Sequence, residues 1–248
     1  MIDSSRRRDC GDKATTDSTK ARLQALTPGD GVTAASAFFI APYAGEYAEE
    51  AEVVFGADGR VGYRDERPED RSVEGVLLSR WSGTQTGPQR WGEHHARRQF
   101  HVMEAPLGCA GCAGPPHRDE RGILWILHTS GMRLTGHLMG PVLVTTPPLC
   151  LRDASKAMRG CDVLQGGAVA LRVTEAEVVG VRGMVYSPTE TPEPGIVRFD
   201  DPRIRRVVAD GLVREISHAE VDTTTLPILT DCSTPVGSRA GEARSAAH

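Results

Sequence analysis

The chain has 248 residues, 39% hydrophobic and 5% aromatic, with a formal net charge of −4 at pH 7. That is enough length and apolar content to bury a core of Val, Leu, Ile and Ala. The mild acidity excludes a general basic field for nucleic acid, so a DNA or RNA partner needs a local patch. Basic residues are almost all arginine, with lysine only at Lys13, Lys20 and Lys156, and asparagine is absent. Such a bias is typical of a GC-rich coding sequence and says little about phosphate binding.

The opening MIDSSRRRDCGDK is charged and lacks the apolar run of a secretory signal. No apolar stretch approaches the roughly 20 residues needed to span a bilayer. The expected location is therefore the cytoplasm, with no membrane partner. In a reducing compartment clustered thiols point to metal or catalysis more than to disulfides.

Residues 1–35 and 230–248 are small and polar, cannot offset their ordering entropy, and are expected to be a disordered leader and tail that carry Cys10 and Cys232. Between them, 36–229 is expected to form one domain. ASAFFIAPY (35–43) has the apolar density of a strand, and AEVVFGADGRVGYRD predicts a hairpin turning at Asp58 and Gly59. Residues 64–74 alternate acids and bases as a solvated loop does, and GVLLSRW returns to strand character.

PQRWGEHHARRQFHVM (88–103) has one β-branched residue and predicts a helix. On it His94, Arg98 and His101 share a stripe that, with Arg97, forms a candidate phosphate-facing surface, while His95 can lean on Trp91 one turn earlier. His94 and His101 stand two turns apart, about 10 Å, too far to share one ion.

Cys109 and Cys112 form a Cys-x-x-Cys pair flanked by glycines, the arrangement that aims two thiolates and nearby N–H groups at one ion. GILWIL predicts a strand. PPLCLRDASKAMRG then predicts a helix opened by prolines and closed by Gly160, with Cys150 and Asp153 in its first turn. The intervals between ligands are 2, 37 and 2 residues. A knuckle, a hairpin and a helix start carrying two ligands each is the logic of a treble clef or zinc ribbon, so segment 107–161 is expected to bind zinc through Cys109, Cys112, Cys150 and Asp153. Rival fourth ligands are Cys161, His117, His128 and His137. A redox Cys-x-x-Cys is disfavoured because Ala-Gly-Pro-Pro follows Cys112, where a thioredoxin-like helix would have to start.

The runs CAGCAGPPHRDERGILWIL, PPLCLRDASKAMRGC and VVGVRGMVYSP resemble a group of actinobacterial proteins that carry two Cys-x-x-Cys pairs in similar surroundings. The resemblance covers about residues 36–217. It implies a zinc-knuckle α+β protein and no particular activity, and Asp153 departs from the second pair of that group.

Further along, GAVALRVTEAEVVGVRGMVYSP predicts two valine-rich strands and GIVRF a third. DDPRIRRVVADGLVREIS (200–217) predicts a C-terminal helix packed on the sheet: Asp200 or Asp201 can cap it, Pro202 suits its first turn, and Ile204, Val207, Val208, Leu212 and Ile216 recur at helical spacing. Arg203, Arg205, Arg206 and Arg214 then lie off the apolar stripe.

The fold class expected is α+β, one small mixed domain with a zinc-knuckle or treble-clef-like insertion. The chain has no Gly-x-x-x-x-Gly-Lys, Gly-x-Ser-x-Gly or Gly-x-Gly-x-x-Gly motif. An HNH-type nuclease would have to use His128 with His137 alone as partner, and the ligand-x-Glu step of zinc deaminases is missing. The function expected is that of a zinc-stabilised protein without a catalytic site that binds nucleic acid or another protein. The alternative is a metal-dependent enzyme, a degenerate nuclease or a tailoring enzyme with an open zinc.

Overall fold

The structure, a computed structural model, describes residues 37–129 and 140–230 and the backbone of two short strands between them. The expected leader and tail, with Cys10 and Cys232, lie outside the described residues. The elements in chain order are β1 (Glu46–Ala48), β2 (Val53–Phe55), β3 (Val61–Tyr63), β4 (Leu77–Leu78), β5 (Trp81–Gly83), α1 (Ala96–Met103), β6 (Arg118–Asp119) and β7 (Gly122–His128). Then follow β8 (Leu134–Thr135), β9 (His137–Leu138), β10 (Val142–Val144), α2 (Leu151–Gly160), α3 (Asp162–Gln165), β11 (Ala168–Val185), β12 (Glu193–Arg198), β13 (Val207–Val221) and α4 (Thr225–Thr230). This is a mixed α+β architecture.

Nine strands form one sheet whose spine is the antiparallel pair β11 and β13, extended by β7 and β6 on one side and by β9 and β8 on the other. The two valine runs at 168–185 form a single strand of 18 residues rather than two. Four register shifts against β13 interrupt it, and bulges of this kind let a long strand bend and twist instead of running flat. The β2–β3 hairpin forms as expected, with Gly59 at positive φ in its turn.

The largest correction concerns 200–217. Asp201 does accept an N–H from Arg203 at 2.8 Å, and Pro202 does open a turn, but that 3-10 turn ends at Arg206. From Val207 onward the chain is β13, the middle strand of the sheet. Val207, Val208, Leu212, Val213 and Ile216 are all buried, on both faces, because the sheet is covered on both sides here. A strand buried on both faces mimics helical spacing, and the β-branched residues with Gly211 in mid-segment favour the strand once partners exist on either side. Arg214 is consequently buried, donating to the carbonyls of Met103 and Ala176. Among the described residues, 200–217 form no helix packed on the sheet as expected; the helix that follows β13 is the short α4.

The described part of ASAFFIAPY, residues 37–43, is not a strand either. Phe38, Ile40, Ala41 and Tyr43 are buried in irregular chain, and the N–H groups of Phe39 and Ile40 donate to the carbonyls of Gly111 and Ala110 at 2.8 and 3.1 Å. The main core lies between this segment, the β7–β11 face of the sheet and α2, through Phe38, Ile40, Leu124, Ile126, Leu149, Ala154 and Ala170. Trp125, Leu171 and Ile216 fill the opposite face.

Apart from Arg214, which carbonyls hold, the buried arginines are paired with carboxylates. Arg172, 2% exposed, donates to Asp222 at 2.7 Å, and Asp222 also accepts from the backbone N–H groups of Thr224 and Thr225 and from both hydroxyls. Burial alone would raise the Asp222 pKa, but the hydrogen bonds from Thr225, Thr224 and Arg172 outweigh it and hold the carboxyl well below its ordinary value. Asp222→Ala should therefore destabilise the fold by about 3–5 kcal/mol in chemical denaturation, the range for leaving a buried charge alone. Because the folded-state pKa is depressed, this stabilisation is present above the unfolded value of roughly 4 and is lost as the pH falls below it. A stability profile measured below that pH should be flatter in Asp222→Asn than in the native chain.

Candidate metal centre

Three chain segments meet at one point. The first is the turn from Cys109 to Gly114, closed by Ala113 N–H donating to Cys109 O at 2.9 Å and Cys109 N–H donating to Gly114 O at 2.7 Å. Ala113 takes φ 57°, in the left-handed region, which turns the chain sharply after Cys112. The second is the 38–41 segment bound to the carbonyls of that turn. The third is the start of α2, where Cys150 is the N-cap residue in extended conformation and Asp153 lies in the first turn.

The donor atoms of Cys109, Cys112, Cys150 and Asp153 all lie within 4.8 Å of one another, so the four residues can hold one metal ion. Cys109 and Asp153 are fully buried, Cys150 half-buried and Cys112 exposed. Asp153 Oδ2 is 3.1 Å from Cys150 Sγ and 3.5 Å from Cys109 Sγ. Its other oxygen, Oδ1, faces Arg152 Nε at 3.2 Å and Lys156 Nζ at 3.4 Å. One carboxylate thus joins the sulfur cluster to two cations, the outer contact that orients an oxygen ligand. Cys109 Sγ receives two backbone N–H groups, from Gly111 at 3.3 Å and from Cys150 at 3.2 Å, which favour a thiolate there.

Close approach depends on Gly111. A Cβ at that position would stand 2.4 Å from Asp153 Cβ and 2.8 Å from Oδ2, so a side chain there would push the carboxylate out of the cluster. Burial would push the Asp153 pKa up, but the thiols of Cys150 and Cys112 and the Arg152 guanidinium hold it below the usual carboxylate range. Burial raises the thiols of Cys109 and Cys150 in turn. A divalent cation among the four donors reverses that preference, since coordinated thiols are deprotonated.

The rival ligands are elsewhere. Cys161 is buried at the far end of α2, and His117 shares a hydrogen bond with Arg172 through Nδ1 at 2.8 Å. His128 ends β7, and His137 pairs through its backbone with Glu220, its side chain lying outside the described residues. Among the described residues, neither Cys161, His117 nor His128 joins the four donors. Gly111, Arg152 and Lys156 went unremarked in the sequence reading. The only signals were a glycine between the cysteines and basic residues one before and three after Asp153.

The expected phosphate-facing surface at 94–101 does not exist as such. Helix α1 begins only at Ala96, so His94 and His95 precede it and share no helical stripe with His101. His95 is buried and stacks on Trp81, with centroids 4.6 Å apart, and not on Trp91. Arg98 is buried against Glu46, and Arg97 lies 3.6 Å from the buried Asp70. The buried carboxylates drew these arginines inward, which no periodicity could reveal.

No family model matches the chain, and neither a curated protein nor a solved structure matches it.

Two outcomes are expected from this geometry. Gly111→Ala should weaken divalent-metal binding by about 10- to 100-fold in a chelator competition, the range for disturbing an orienting contact, with the secondary structure retained. Burial, helped by Arg182 and Arg98 respectively, lowers the His94 pKa to about 4 and the His95 pKa to about 3. The unfolded chain binds protons at these groups below roughly 6.5 and the folded chain does not, so stability should fall as pH drops from about 6.5 towards 4. Denaturation midpoints of His95→Gln over that range should show a shallower fall.

Proposed function

We propose that Cys109, Cys112, Cys150 and Asp153 hold a structural zinc ion and that the protein acts by binding rather than by catalysis. The observation that carries this reading is the fully buried Asp153, whose carboxylate occupies a fourth ligand place beside three sulfurs. Sulfur-rich tetrahedral sets suit zinc, and a closed set of four protein ligands is the mark of a structural ion. Three thiolates and a carboxylate leave a divalent ion with two excess negative charges, and Arg152 and Lys156 stand beside Asp153 to offset them.

The partner is a macromolecule, either nucleic acid or another protein. Of the arginines first considered for such a surface, Arg203, Arg205 and Arg206 remain exposed on the turn before β13, and Arg203 is tied to Asp201 at 2.6 Å. If nucleic acid is the partner, retention of duplex DNA or RNA should be strongest at low salt and weaken in Arg205→Glu/Arg206→Glu, because phosphate contacts act through counterion release. Absence of retention at low salt leaves a protein partner.

Native mass spectrometry of protein purified under reducing conditions tests the metal. One zinc per chain is expected, with Cys109→Ser losing both the ion and the near-ultraviolet circular dichroism, and Asp153→Ala binding more weakly but still folding at excess zinc. Metal-free, fully folded protein after purification in zinc-containing buffer would sink the reading.

A further inference from the structure

At the edge of the main core, between the segment that precedes α1 and the end of α2, lies a partly open cavity of about 220 Å³. Its size already narrows what it can take, since a cavity of about 150 Å³ accepts a benzene ring. The space here suits one ring and a short polar substituent.

The walls give the chemistry. Phe38 and Trp91 form an aromatic corner, with ring centroids 4.9 Å apart and planes tilted by 51°. Trp91 is held in place because it lies directly on α2 at Gly160. Ile126 and Leu164 add aliphatic wall. The polar part is made by Arg182 of β11 with Thr145. The guanidinium is fixed by Nε donating to Asp210 at 2.7 Å and by Nη1 at 3.5 Å from the Thr145 hydroxyl. Asp210 is not among the lining residues. The carboxylate that does line the cavity, Glu93, is turned to Arg90 at 3.0 Å and is 54% exposed.

We infer that this cavity is a binding site for a small monocyclic carboxylate, its ring against Phe38 and Trp91 and its acid on Arg182 and Thr145. An anchored guanidinium beside a hydroxyl, at the edge of an apolar cavity, is a carboxylate receptor because its donors are already in place and a charged acceptor shortens and strengthens the bonds. His94 also lines the cavity. Burial and the positive charge of Arg182 keep it neutral at physiological pH, so Arg182 is the cation that an acid meets. The site contains none of the four metal donors, while Ala110 and Leu149 of its lining are chain neighbours of Cys109 and Cys150.

Benzoate is the probe, with benzyl alcohol as its neutral counterpart. In the full chain with its zinc content measured in the same sample, benzoate should shift the Trp91 indole resonance and bind in calorimetry. Arg182→Gln should weaken benzoate by about tenfold while leaving benzyl alcohol unchanged. Leu164→Trp, which fills the cavity, should abolish both. The inference is overturned if millimolar benzoate leaves Trp91 unmoved, if Arg182→Gln binds benzoate as the native chain does, or if Leu164→Trp still binds. A chain that lacks zinc yet passes these tests would separate failure of the metal reading from failure of this one.

Discussion

Four groups that carry negative charge when ionised, three thiols and a carboxylate, have their donor atoms within 4.8 Å of one another, two of the residues fully buried. Such a cluster is tolerable only if protons or a cation neutralise it, because like charges at that separation in a low-dielectric interior repel strongly. The neighbouring chain is arranged around this constraint. Two backbone N–H groups point at Cys109 Sγ, two side-chain cations stand on Asp153, and Gly111 supplies the clearance that lets the carboxylate in.

The consequences spread through the core. The turn at 109–114 offers the carbonyls of Ala110 and Gly111 to the 38–41 segment, which thereby places Phe38, Ile40 and Ala41 against α2 and the sheet without forming a strand of its own. Without a ladder, the segment's backbone groups find their partners far along the chain, at Ala110, Gly111, His95 and the Gln89 side chain, as buried polar groups must. Cys150 caps α2, and α2 supplies Asp153 at one end and the Gly160 seat for Trp91 at the other. The cavity beside Trp91 is thus shaped by the helix that carries half of the candidate metal site.

Away from the sulfur cluster the organising terms are different. Arg172 with Asp222, Arg98 with Glu46 and Arg80 with Asp70 are ion pairs taken out of water. Breaking one costs more than forming it gains, so these pairs act on which arrangement is allowed more than on how stable it is. They also explain why an arginine-rich chain shows few free arginines where a polyanion surface was expected.

What could be read from residues alone was local. The pair Cys109 and Cys112, the pair Cys150 and Asp153, the prolines before Leu151, the β2–β3 turn and the strand of GILWIL are each written within a few residues, and turn and capping chemistry acts over that distance. What only the tertiary structure decided was everything set by partners distant in sequence. The stretch 200–217 has a capped start and helical spacing, yet from Val207 onward it lies between strands on both sides and becomes the centre of the sheet, because pairing and two-faced burial outweigh intrinsic propensity. Arg98, read as surface, and His95, expected against Trp91, were drawn inside by Glu46 and Trp81, more than ten positions away. The choice of Asp153 over Cys161 or a histidine likewise followed from a glycine 42 positions earlier leaving room for it. Sequence determined which groups were available, and long-range packing determined which of them met.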